Sequence, residues 1–142
     1  MIDLSIIKAF EGCRLKAYVC PAGVNTIGYG STRYLDGRKV QLGEVITQEQ
    51  AEEMLRVEAE RRLAEMALPK ELNNNQRSAL LSFQYNVGNG NWRTSTLKKK
   101  VFANPKDPTI AQEFMKWNKA AGKVITGLTR RRDAEQKLYF TP

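Results

Sequence analysis

Near the N-terminus, Glu11, Cys20 and Thr26 carry the side chains best suited to chemistry. They lie within Glu11-Gly12-Cys13-Arg14-Leu15-Lys16-Ala17-Tyr18-Val19-Cys20-Pro21-Ala22-Gly23-Val24-Asn25-Thr26-Ile27-Gly28-Tyr29-Gly30. A carboxyl group facing a second nucleophilic or basic group is the minimum equipment for cutting a glycosidic bond. Glu11 falls where a short helix should end. The negative end of the helix dipole disfavours a carboxylate there, and partial burial acts in the same direction. A carboxyl that keeps its proton can hand it to a leaving sugar oxygen. Cys20 offers a thiol that could serve as a base toward water or as a nucleophile at an anomeric carbon. Thr26 offers one donor and two acceptors, enough to hold a water across a sugar ring from Glu11. Taken singly, the three also read as a solvated helix-terminal glutamate, a small buried thiol and a strand threonine.

The elements that must position them follow from periodicity. Leu4, Ile7 and Phe10, with Ile6, predict a helix over residues 3–10 that stops at Gly12. The period then changes to two. Leu15, Ala17 and Val19 share one face of a half-buried strand, and Arg14, Lys16, Tyr18 and Cys20 the other. Pro21-Ala22-Gly23 is a turn, Thr26–Gly30 a second strand, and Asp36-Gly37 a hairpin turn. Gly28 and Gly30 would let a sugar approach that second strand. With Tyr18, on the face of Cys20, they are the candidate substrate-binding residues. Thr47-Gln48-Glu49-Gln50 is a capping-box pattern. It opens a long helix with Ala51, Leu55, Ala59 and Leu63 as its apolar stripe, ending before Pro69. Such a helix could reach ~30 Å and join two lobes. Residues 73–87, apolar nearly all round, predict a buried central helix ending at Gly88. Asp107-Pro108-Thr109 predicts an N-terminus for a helix running to about Ala120. A last helix is expected from about Thr129 to Leu138.

A chain of 142 residues fits one domain or two small lobes sharing a core. Histidine is absent, which excludes Ser-His and Cys-His catalysis and speaks against metal catalysis. The two cysteines are too few for a disulfide scaffold or a zinc site. No cofactor or metal is indicated. Cys13 and Cys20 flank one strand, and a disulfide between them would silence the thiol at position 20. No apolar run approaches 18 residues, so no membrane span is expected. The N-terminus reads as mature structure, not as a signal peptide. The net charge of +8 is uneven. Residues 1–71 hold 10 basic and 11 acidic side chains, and residues 72–142 hold 13 basic and 4 acidic. Lys98-Lys99-Lys100 and Arg130-Arg131-Arg132 are the densest basic runs, and a cationic half suits a polyanion such as nucleic acid, an anionic membrane or a cell wall.

The run Glu-Gly-x-Arg-Leu-x-Ala-Tyr-x-Cys-Pro-Ala-Gly-x-x-Thr-Ile-Gly-Tyr-Gly at residues 11–30 resembles the signature of the phage-type lysozymes, or endolysins. Ile46-Thr47-Gln48-Glu49-Gln50-Ala51-Glu52 is similar to the start of that family's connecting helix. Asn75-Gln76 with Ala79-Leu80-Leu81-Ser82-Phe83 and Asn86-Val87-Gly88 is similar to its central helix. Ser95-Thr96-Leu97, Trp117-Asn118-Lys119-Ala120 and Gly127-Leu128 with Arg130-Arg131-Arg132-x-Ala134-Glu135 resemble its C-terminal motifs. The resemblance spans nearly the whole chain. It implies a lysozyme-like α+β fold in one domain. A small antiparallel β lobe (12–46) and a mostly helical lobe (1–11 and 68–142) would be joined by a long helix (47–67), with a cleft between them. It implies that Glu11 is the general acid and that Thr26 helps place the attacking water. Cys20 then stands where the family usually carries its second acid. Ser31 departs from the histidine many relatives carry there. One arginine of 130–132 could reach Glu11, or the run could be a solvated helix start.

The implied function is an endolysin that hydrolyses the β-1,4 bond between N-acetylmuramic acid and N-acetylglucosamine in peptidoglycan, lysing a bacterial host for phage release. A lytic transglycosylase giving anhydro-muramyl products is the alternative. The expected partner is bacterial peptidoglycan, with anionic envelope or membrane contact through the basic C-terminal half. No specific nucleic acid is expected, since no recognition motif accompanies the basic runs. A monomer is expected, held in the host cytoplasm until release to the cell wall.

Overall fold

The Asp3 carboxylate accepts a hydrogen bond from the Ser5 N–H at 2.8 Å and so opens α1, Ser5–Glu11, in the computed structural model, which describes residues 1–142. The chain forms two compact units, Ile7–Glu65 and Met1–Ile6 with Met66–Pro142, and passes between them within α1 and at the end of α2. The architecture is the lysozyme-like α+β fold: small antiparallel hairpins and a larger set of helices. No helix is long and apolar enough to cross a membrane.

In the unit Ile7–Glu65, α1 stops where expected. Gly12 takes a left-handed conformation (φ +69°) and donates its N–H to the Lys8 carbonyl at 3.1 Å, a helix ending glycine adopts without strain. β1, Arg14–Val19, pairs antiparallel with β2, Asn25–Gly28, in the register Tyr18↔Thr26 and Val19↔Asn25. The other edge of β1 is bonded by Ala17 N–H to the Glu44 carbonyl and by Ile46 N–H to the Leu15 carbonyl. The expected inward face of β1 is only partly inward. Ala17 is buried, but Leu15 is 37% and Val19 52% exposed; the pairing loses its regular register between Arg14 and Tyr18, and such an irregularity re-aims side chains.

The second strand is shorter than its sequence suggested. It ends at Gly28, and Ile27 and Ser31 exchange backbone hydrogen bonds at 2.8 and 2.9 Å, so Gly28-Tyr29-Gly30 is a turn. Gly28 and Gly30 both have positive φ, +65° and +93°. Gly28 is buried, and a Cβ there would lie 3.5 Å from Ile46 Cδ1 and 3.6 Å from the Ala51 Cβ. The space expected to be open to a ligand at Gly28 is therefore packed. Those distances are ordinary contacts, so the cost of Gly28→Ala is conformational. We expect a loss of about 1–2 kcal/mol, read as a lowered urea midpoint with an unchanged slope.

Asp36-Gly37 makes its hairpin turn, with Gly37 N–H donating to the Tyr34 carbonyl at 2.9 Å. The capping box also forms. Thr47 Oγ1 accepts from Gln50 N–H at 3.1 Å, and Gln50 Oε1 accepts from Thr47 N–H at 2.8 Å. This launches α2, Gln48–Met66, which buries Ala51, Met54, Leu55 and Ala59. Ala67 then turns left-handed (φ +48°), two residues before Pro69.

In the other unit, Asn73 and Gln76 form a capping box that starts α3, Asn74–Val87. Seven successive residues of it, Ser78 to Gln84, are buried, as its all-round apolar sequence required. Phe83 centres an aromatic cluster, with ring centroids 5.7 Å from Phe114 and 5.6 Å from Trp117. Two short helices that the periodicity did not isolate follow: α4, Asn89–Thr94, and α5, Thr96–Ala103. The side chain of Ser95, between them, accepts from Lys98 N–H. The helix expected from Asp107 to Ala120 is instead α6, Ile110–Met115. Trp117 leaves it to pack edge-on against Phe83. Lys119–Ala120 and Lys123–Val124 then form a small hairpin, β3 and β4. Its turn residues Ala121 and Gly122 both have positive φ, +51° and +79°; alanine rarely accepts that geometry, so the sequence hid it. The last helix, α7, runs Thr126–Tyr139 and starts earlier than expected.

The reading of Arg130-Arg131-Arg132 as a solvated helix start holds for Arg130, which is exposed, and is corrected for the other two. Arg131 is 3% and Arg132 0% exposed. Both pair with the fully buried Glu135, and the Arg132 guanidinium lies 5.0 Å from the Phe83 ring centroid. A buried charge is retained only when paired. The Arg132–Glu135 and Arg131–Glu135 spacings, i+3 and i+4 on a helix, were the available signal.

Candidate active site

Cys20 and Thr26 come together on one hairpin. Cys20 follows β1 directly and opens the turn: its carbonyl accepts from Gly23 N–H at 2.8 Å, and its N–H donates to the Val24 carbonyl at 2.9 Å. The same Val24 carbonyl accepts the Thr26 hydroxyl at 2.9 Å. Thr26 is 3% exposed, so its hydroxyl is held in one place. Val24 is thus the anchor of both residues, and reading side-chain chemistry from sequence missed it because its contribution is backbone.

The Cys20 thiol is free and half-exposed. Hydrogen bonding by the Val24 backbone and then by the Thr26 side chain holds it below the ordinary cysteine range, because hydrogen bonds to a charged form favour that form. Thr26 has one proton to give. It serves the Val24 carbonyl or the Cys20 sulfur, and its lone pairs stay available to accept.

Glu11 is the last residue of α1, half-exposed, three residues before β1. Tyr18 pairs across the strands with Thr26, so both side chains lie on one face. The Arg14 guanidinium stacks 4.3 Å from the Tyr18 ring centroid. Gly30 is exposed in its turn and Gly28 is not. No three His, Cys, Asp or Glu side chains gather in a metal-binding group.

The idea of a Cys13–Cys20 disulfide fails on geometry. The two residues stand at opposite ends of β1. At the rise of a strand, seven residue steps span about 20 Å, far beyond the Cα separation a disulfide bridges. Cys13 points elsewhere: its thiol donates to Gln48 Oε1 at 3.6 Å.

A helix running into glycine-rich hairpins, a long helix and then a helical unit is the order of elements in a lysozyme. A sequence model described as phage lysozyme matches residues 8–135, and the chain belongs to that family. It is 43% identical over 142 residues to an endolysin of Acyrthosiphon pisum secondary endosymbiont phage 1, covering 96% of this chain and 93% of that one. It is 39% identical over 142 residues to an endolysin of Bacillus phage B103, covering 97% of this chain and 52% of that one. The chain therefore spans about half the length of that relative. Among solved structures, the endolysin from Escherichia coli O157:H7 phage FAHEc1 superposes with a TM-score of 0.84 at 37% identity, covering 96% of this chain and 89% of that one. The protein is accordingly an enzyme of the lysozyme class.

Proposed function

We propose that this lysozyme is an endolysin that hydrolyses the β-1,4 bond between N-acetylmuramic acid and N-acetylglucosamine in peptidoglycan, opening the wall of a bacterial host for phage release. The observation that carries this reading is the Cys20–Val24–Thr26 arrangement, a half-exposed thiol held beside a fixed hydroxyl, in a chain of the phage lysozyme family whose Glu11 closes the preceding helix. Glu11 gives its proton to the leaving glycosidic oxygen as the bond from the anomeric carbon breaks. A water adds to that carbon from the opposite face, with inversion. Thr26 orients the water by accepting a hydrogen bond from the hydrogen that stays on the new hydroxyl, and Cys20, as thiolate, takes the other hydrogen as a proton while the new bond forms. The cycle closes when the Cys20 thiol loses its proton to solvent and the Glu11 carboxylate regains one from it. Tyr18, beside the hairpin with its stacked Arg14, and Gly30 line the sugar's path.

Muropeptides released from purified peptidoglycan test the reaction by mass spectrometry. Hydrated reducing ends are expected, and anhydro ends would establish a transglycosylase instead. Cys20→Ala should lower kcat about 10²-fold, the loss of a general base, and Cys20→Asp should retain activity. Alkylation of Cys20 should rise with pH through a midpoint below that of a free cysteine, since the thiolate is the reacting form. Full activity in Cys20→Ala would remove the thiol from catalysis.

The protein acts as a monomer in this reading, and its attraction to the anionic envelope rests on exposed cations. Lys99, Lys119, Lys123 and Arg130 are exposed, whereas Arg131 and Arg132 are buried against Glu135 and do not contact an envelope directly.

A further inference from the structure

Glu11 occupies a weak position for a residue that must aim a proton. It ends a helix of seven residues, too short to be stable by itself. The last turn of any helix lacks intrahelical acceptors' partners and frays. The segments on both sides of it are nevertheless tied to one place. Three residues before it, Lys8 forms an ion pair with Glu52 at 2.5 Å. Two residues after it, the Cys13 thiol donates to Gln48 Oε1. Gln48 and Glu52 are one turn apart at the start of α2, and Gln48 Nε2 donates to Glu52 Oε1 at 3.0 Å. The buried Tyr29 completes the set: its hydroxyl donates to Glu52 Oε1 at 3.0 Å and accepts from Gln48 Nε2 at 2.9 Å.

Tyr29 belongs to the Gly28–Gly30 turn that follows Thr26. The same three side chains therefore tie the Glu11 segment to the arm that carries Thr26. Lys8 first, then Gln48, holds Glu52 below the usual carboxylate range, and burial pushes the Tyr29 phenol up. At neutral pH the centre is thus a fixed carboxylate receiving an ammonium, a phenol proton and an amide proton together.

We propose that Tyr29, Gln48 and Glu52 form a positioning centre that clamps residues 8–13 from both sides and so fixes the Glu11 carboxyl relative to the Thr26 arm. None of the three touches the reacting atoms. This inference rests on the general-acid role proposed for Glu11. Misplacement of a reacting group by an ångström is enough to cost orders of magnitude in rate.

Two readouts test it. In the otherwise native enzyme, Glu52→Ala should lower kcat about tenfold with KM held within about twofold. Tyr29→Phe should lower kcat by a smaller factor, and Glu52→Gln, which keeps an acceptor for Tyr29 and Gln48 but loses the Lys8 ion pair, should recover only part of the loss. In a Cys20→Ser background, where Cys13 is the sole thiol, iodoacetamide should alkylate Cys13 about tenfold faster in Glu52→Ala than in its parent, because the clamp on Gln48 is released. The proposal is overturned if Glu52→Ala and Tyr29→Phe lower only the melting temperature and leave kcat unchanged. It is equally overturned if Cys13 reacts at the parent rate in both. Full activity in Glu11→Gln would instead remove the role of Glu11, while the Cys13 rate would still report on the clamp.

Discussion

Glu11→Gln is expected to lower kcat on purified peptidoglycan by about 10³-fold, within the range that general-acid catalysis supplies. The substitution keeps size and shape and removes only the transferable proton. Binding should therefore survive, with KM close to wild type, because the lost interaction exists only as the bond breaks. Structure should survive too: Glu11 is half-exposed at a helix end already stopped by Gly12. Reducing-end release measures the rate, and the near-ultraviolet circular dichroism and melting temperature check the fold. Activity within tenfold of wild type would move the acid elsewhere. The absence of histidine leaves only carboxylates, thiols and tyrosines to take that role.

Glu135→Ala is expected to cost about 3–5 kcal/mol of folding free energy, the penalty for leaving buried charge uncompensated. Glu135 is fully buried and receives hydrogen bonds from Ser82 Oγ, from Arg131 Nε at 3.3 Å and from Arg132 Nη2 at 3.1 Å. Arg131 Nη2 also donates to the Ser82 carbonyl at 3.1 Å, so the cluster ties α7 to the centre of α3. Removing the carboxylate takes from two buried guanidinium groups the negative charge they share. The urea midpoint should fall accordingly, and a melting shift on the order of 10 °C follows for a chain of this size. The exposed pair Lys137–Asp133 on the same helix is the control. Lys137→Ala should change stability by less than about 1 kcal/mol, as exposed ion pairs do. Equal effects from the two substitutions would show that burial does not set the value of the Glu135 cluster.

These two outcomes sit at opposite ends of what could be read along the chain. Glu11, Cys20 and Thr26 were singled out by the resemblance of residues 11–30 to the phage-lysozyme signature, since each taken singly also has an ordinary structural reading. The capping box at Thr47, the stop at Gly12 and the turn at Asp36-Gly37 were legible because each is decided by side chains within four residues. Arg131 and Arg132 were misleading. Counted by charge they joined a cationic surface, but a partner at i+3 or i+4 and the apolar wall of α3 made burial possible. The Ala121-Gly122 turn was invisible because alanine at positive φ is tolerated only when surrounding contacts compensate.

The sequence by itself determined the α+β order of elements, and its resemblance to the phage-type lysozymes singled out Glu11, Cys20 and Thr26 as candidates. Periodicity and capping act over a few residues, where the chain has little choice. Tertiary structure alone decided which groups those side chains meet. It packed Gly28 against Ile46 and Ala51. It also joined Tyr29, Gln48 and Glu52 to Lys8 and Cys13, the residues that flank Glu11 on either side. Contacts between residues 18 to 44 positions apart are set by how helix and hairpin pack, a collective choice that no local spacing encodes.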